Sequence, residues 1–85
     1  MAKRTIDLRP YPTPDTDLAA FLYSLGASLL NHHRDPEDDK VYFTFELTAE
    51  QERATSEFAA GTAMVNAPAY AKAQKILRTM IRNAR

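Results

Sequence analysis

The chain contains no cysteine, so neither disulfides nor thiolate-metal sites can supplement its core, and thiol redox chemistry is excluded. Its two glycines, Gly26 and Gly61, stand far apart, which leaves no glycine-rich loop to cradle a phosphate. No apolar run approaches the ~20 residues that a membrane-spanning helix needs. The basic start Met1-Ala2-Lys3-Arg4 leads into no apolar stretch of signal-peptide length. A soluble, cytoplasmic protein without membrane contact is therefore expected. Neither sign of charge is in excess, with 11 Lys and Arg against 11 Asp and Glu, so no overall field steers nucleic acid or a membrane toward the chain.

Charge is present but segregated. Eight acids (Asp35, Glu37, Asp38, Asp39, Glu46, Glu50, Glu52 and Glu57) fall between Asp35 and Glu57, against Lys40 and Arg53. From Ala67 to Arg85 there are five bases (Lys72, Lys75, Arg78, Arg82 and Arg85) and no acid. The sequence is an electrical dipole along its length. At 85 residues it is one domain, and a domain so small buries only about 60% of the surface its unfolded chain exposes.

Periodicity divides the chain into elements. Residues 1–12 alternate Ile6 and Leu8 with polar residues until Pro10 and Pro12 stop the pattern, which suits an edge strand or a partly ordered arm. Thr13-Pro14-Asp15 reads as a helix start, with Thr13 as cap and Pro14 in the first turn. Leu18, Phe21, Leu22 and Leu25 then form one helical stripe, and Gly26 supplies a left-handed stop, so the first helix should span Pro14 to Leu25.

A strand over Ala27 to His33 and a clearer one over Val41 to Leu47 flank the polar Arg34-Asp35-Pro36-Glu37-Asp38-Asp39 and form a hairpin. In the second strand Val41, Phe43, Phe45 and Leu47 point one way and Tyr42, Thr44 and Glu46 the other. Phe43 and Phe45 should centre the core, receiving Phe21, Leu25, Leu77 and Met80.

Thr48 and Gln51 fit a capping box for a second helix ending at Gly61, with a thin apolar face of Ala54 and Phe58. Met64 or Val65 should tuck into the core from the connection that follows. Asn66-Ala67-Pro68 starts a third helix, with Tyr70, Ala73, Leu77, Met80 and Ile81 on one face and the five bases on the other. The expected fold is α+β, in the order (β)αββαα, with helices on one face of a small antiparallel sheet.

The pattern resembles a family of small prokaryotic domains of unknown function. The likeness rests on Asp15 with Leu18-Ala19-Ala20-Phe21-Leu22, then Leu25-Gly26, Val41 to Glu46, Val65-Asn66 and Tyr70. It spans about residues 12–81 and implies the architecture alone, with no activity, cofactor or site residue.

Four groups of residues bear on function. Lys72, Lys75, Arg78, Arg82 and Arg85 would neutralise phosphates wherever that helix face met a nucleic acid; a solvated face paired with the acids of the second helix is the plain alternative. His32-His33 and the acids Asp35, Glu37, Asp38 and Asp39 hold metal-ligating atoms. Adjacent histidines on a strand point to opposite faces, however, and the acidic run lacks the glycine and terminal Glu of a calcium loop, so no metal site is expected. Tyr42 and Glu46 share the polar strand face and could serve as acid and base, yet cross-strand pairing explains them equally and no nucleophile motif accompanies them. Finally, Tyr42 and Thr44 beside an open sheet edge suit a homodimer, while Arg34, Lys40 and Glu46 would keep that edge solitary.

The sequence thus points to a non-enzymatic interaction module without cofactor, contacting nucleic acid or a nucleoprotein assembly through its last helix. The alternative is a protein-binding adaptor or inhibitor, of the kind mobile elements encode, using Asp35, Glu37, Asp38, Asp39, Tyr42, Thr44 and Glu46. A small enzyme is the third class.

Overall fold

The computed structural model describes residues 8–84. Its elements are β1 (Arg9–Thr13), α1 (Thr16–Ser24), β2 (Ser28–Arg34), β3 (Val41–Leu47), α2 (Ala49–Ala60) and α3 (Ala67–Asn83). The strands form one antiparallel sheet in the order β1-β3-β2, so the fold is α+β with the order βαββαα, as the sequence indicates.

The central strand β3 follows its period-two pattern without exception. Val41, Phe43, Phe45 and Leu47 are buried, while Tyr42, Thr44 and Glu46 are half-buried on the face turned away from the core. The four buried residues share one core cluster with Ala19, Ala20 and Leu22 of α1 and with Ala73 and Leu77 of α3, and Met80 and Ile81 pack at its margin. α1 lies between α2 and α3 in the helical layer and also meets β1. Its small Ala19 and Ala20, both fully buried, let neighbouring elements approach closely.

Five expectations change. The N-terminal strand does not end at the prolines but runs through them: β1 contains Pro10 and Pro12, and Ile6 lies outside the described residues. Two prolines of the same parity direct both imide nitrogens to one side, so an edge strand accommodates them by keeping that side free of a partner. α1 starts later than predicted because Asp15, not Thr13, is its cap: the Asp15 carboxylate accepts from the N–H groups of Asp17 and Leu18 at 3.0 and 3.2 Å. Thr13 acts one step earlier, its Oγ1 accepting from the Asp15 N–H at 3.0 Å, and Pro14 lies outside the helix.

Leu25 does not enter the core. The helix ends at Ser24, Leu25 becomes the C-cap, and the turn into Gly26 (φ 87°) leaves the leucine exposed. Met64 and Val65 are exposed as well, and the half-buried residue of that connection is Ala63. Gly61, with φ 79°, ends α2 in a left-handed cap just before this connection.

α2 carries the predicted capping box: the Thr48 side chain accepts from the Gln51 N–H at 3.1 Å and the Gln51 side chain accepts from the Thr48 N–H at 3.0 Å. None of its residues is fully buried. Its anchor is Phe58, stacked on buried Phe21 with ring centroids 4.8 Å apart. Phe21, expected to meet Phe43 and Phe45, thus supplies the seat of α2.

Candidate nucleic-acid interface

α3 is fixed at its start by Asn66, whose side chain accepts from the Ala69 N–H at 3.0 Å, with Pro68 in the first turn. From there the sequence period sets its two faces. Ala73 and Leu77 are buried and Tyr70, Met80 and Ile81 half-buried, while Lys72, Lys75, Arg78 and Arg82 are all exposed on the opposite side. From Lys72 to Arg82 is ten residues, about 15 Å of helix. Arg85, the fifth predicted member, lies outside the described residues.

No described acid reaches these four cations within ion-pair distance. The acids of α2, which could have neutralised them, are held apart by the architecture, since α3 packs on α1 rather than on α2. Two acids at the start of α1, Asp15 and Asp17, lie near the beginning of the helix. They act on Tyr70, whose hydroxyl lies 3.4 Å from the Asp17 carbonyl oxygen. Burial first, and then these two carboxylates, push the Tyr70 phenol above its ordinary value, with Arg78 opposing. The stretch from Lys75 to Arg82 remains uniformly positive.

The acidic hairpin behaves differently, because most of its carboxylates are engaged in shaping the turn itself. The Asp35 carboxylate accepts from the Glu37 N–H at 2.8 Å, and that of Asp38 from the Lys40 N–H at 2.9 Å. Asp39 takes φ 60°, and its carbonyl oxygen accepts from the Arg34 guanidinium at 2.9 Å, with the same guanidinium 3.4 Å from its carboxylate. Such Asp-driven turns are what the residue type favours. The second Asp38 oxygen accepts from the Tyr42 hydroxyl at 2.7 Å. That bond, followed by the Lys40 N–H, holds the Asp38 carboxyl below the ordinary range, and Asp38 in turn raises the Tyr42 phenol.

The structure therefore joins Asp38 to Tyr42, an association the separate readings of loop and strand face did not find. The signal was present as an Asp four residues before a Tyr across a tight turn. Thr44 and Glu46 lie further along the same strand face, level with Pro12 and Pro10 of β1 and Asn31 and Ser28 of β2. The two histidines diverge as strand geometry requires: the His32 ring stacks near Phe43 at 6.0 Å and the His33 ring near Tyr42 at 6.1 Å. Among the described residues no three His, Cys, Asp or Glu side chains gather in a way that could hold a metal ion, and no helix is long and apolar enough to cross a membrane.

These features define a small α+β domain whose last helix buries one face and presents a cationic one that no described acid pairs with. The chain belongs to the family described as Domain of unknown function (DUF5659), which matches residues 9–83. That span begins at the first residue of β1 and ends at the last of α3, and it agrees with the resemblance carried by Asp15, Leu18 to Leu22, Val41 to Glu46 and Tyr70. No curated protein and no solved structure matches the chain.

Proposed function

We propose that this protein is a non-enzymatic module that contacts nucleic acid, alone or within a nucleoprotein assembly, through the exposed face of α3. One observation carries the reading: Lys72, Lys75, Arg78 and Arg82 share an exposed helix face and no described acid pairs with them. Exposed cations without local partners are free to replace the counterions of a phosphate backbone, and this release supplies most non-specific affinity for nucleic acid. The overall charge of zero does not oppose it, because the Debye length at physiological salt is about 8 Å, so acids farther away are largely screened.

The adaptor reading draws less support, because Asp35, Asp38 and Asp39 already spend their carboxylates within the hairpin turn. The proposal is tested by fluorescence anisotropy with a mixed pool of labelled DNA and RNA oligonucleotides. The chain should bind at low salt, and a variant with Lys75→Glu, Arg78→Glu and Arg82→Glu should not. A variant with Asp38→Lys and Asp39→Lys should bind at least as well as the parent. Absence of binding at low salt would refute the proposal.

A further inference from the structure

The two edges of the sheet offer opposite things to a neighbouring strand. On β1, Pro10 and Pro12 cannot donate to a ladder. The residues that exchange hydrogen bonds with β3 are therefore Arg9, Tyr11 and Thr13, which lie opposite Leu47, Phe45 and Phe43. The prolines fall on the outer side and leave that edge without donors at those positions, a device that keeps edges solitary.

Alternation then fixes the rest of the sheet. Because Phe43, Phe45 and Leu47 turn their backbone groups toward β1, Tyr42, Thr44 and Glu46 turn theirs toward β2, where they meet His33, Asn31 and Ser28. The groups of β2 that point away from the sheet belong to the other set, Leu29, His32 and Arg34, which lie opposite Phe45, Phe43 and Val41, while Leu30 is the extra residue of a bulge between Leu29 and Asn31. This edge has no proline, and from Ser28 to His33 it has no Asp, Glu, Lys or Arg. Leu30 is 51% exposed, His32 is exposed, and no described loop or helix is hydrogen-bonded to the outer side of the strand.

We infer that this free edge pairs antiparallel with β2 of a second copy about a two-fold axis at His32, giving a continuous six-stranded sheet. The axis follows from parity. An outward-pointing residue must meet an outward-pointing one, and His32 is the middle one of the outward residues Leu29, His32 and Arg34. That register sets Asn31 opposite His33 of the second copy, and both belong to the face of the sheet away from the core.

The charge pattern selects a second copy as the occupant, because the neutral strand matches itself. In this register the two Arg34 residues stand about 13 Å apart, four residues at about 3.3 Å each, and the two acidic tips are separated by roughly 30 Å. No like charges meet, although charge is the usual means of keeping an unblocked edge unpaired. The core lies on one face of the sheet and leaves the edge of β2 clear of helices. A domain with so small a core gains from the added ladder.

Sedimentation equilibrium on the full chain tests the inference. The parent should show twice the mass of the 9.6 kDa chain at high micromolar concentration. His32→Pro removes an N–H that β3 does not use, as Pro10 and Pro12 already do on β1, and should give a folded monomer by circular dichroism. His32→Lys, which opposes two cations at the axis without altering the backbone, should also dissociate the dimer and decides the matter if the proline variant fails to fold. A monomeric parent, the result if the edge serves an extended segment of another protein, would overturn the inference. So would a dimer that persists in the folded variants.

Discussion

Tyr42 and Asp38 alter each other's titration through one exposed hydrogen bond of 2.7 Å. The Asp38 carboxyl titrates below its unfolded value of 3.8, so its contribution to stability is present above that pH and disappears as the pH falls through the folded value. The Tyr42 phenol moves the other way, above 10.0, and its contribution is present below that pH and lost as the pH rises through the folded value. Both groups face solvent, so the bond shapes the hairpin tip more than it stabilises the fold. Tyr42→Phe should raise the Asp38 midpoint toward 3.8 in an NMR titration while the thermal midpoint of the protein hardly moves. An unchanged Asp38 titration would assign the effect to the Lys40 N–H instead. The four-residue spacing of the pair is visible in the sequence, but it brings the two side chains together only through the tight turn that Asp39 makes at φ 60°.

At the level of elements, β3 was the most legible part of the chain. A strand buried on one face must alternate, and its apolar residues were aromatic, β-branched or leucine at every other position. Phe43 is fully buried at its centre, and Phe43→Ala should cost roughly 3 to 5 kcal/mol, enough to unfold much of so small a domain in a urea titration. A melt within a few degrees of the parent would contradict this packing. β1 was harder to place because prolines normally end strands. Only the sheet order shows that both lie in a strand at the edge of the sheet. Leu25 was misplaced because helical periodicity does not say where the helix stops, and a helix one residue shorter turns the last stripe position outward.

α2 is lightly seated, with no fully buried residue and one aromatic stack to hold it. Phe58→Ala should speed amide exchange throughout α2 while the amides of Val41 to Leu47 remain protected. Equal acceleration in both would mean that α2 is integral to the core.

Across the whole molecule, the sequence dipole becomes a spatial one. The cations of α3 were visible as a face from their spacing alone, whereas their lack of partners among the described residues was not, because that depends on α3 packing against α1 and away from the acids of α2. The most direct test of the central claim is the salt dependence of nucleic-acid affinity. If the four described cations each displace a counterion, log K against log salt should fall with a slope of about −3.6 on duplex DNA, and Lys75→Ala should make that slope shallower by about one. A slope near zero, or one left unchanged by Lys75→Ala and Arg78→Ala together, would contradict the assignment of α3 as the contact surface.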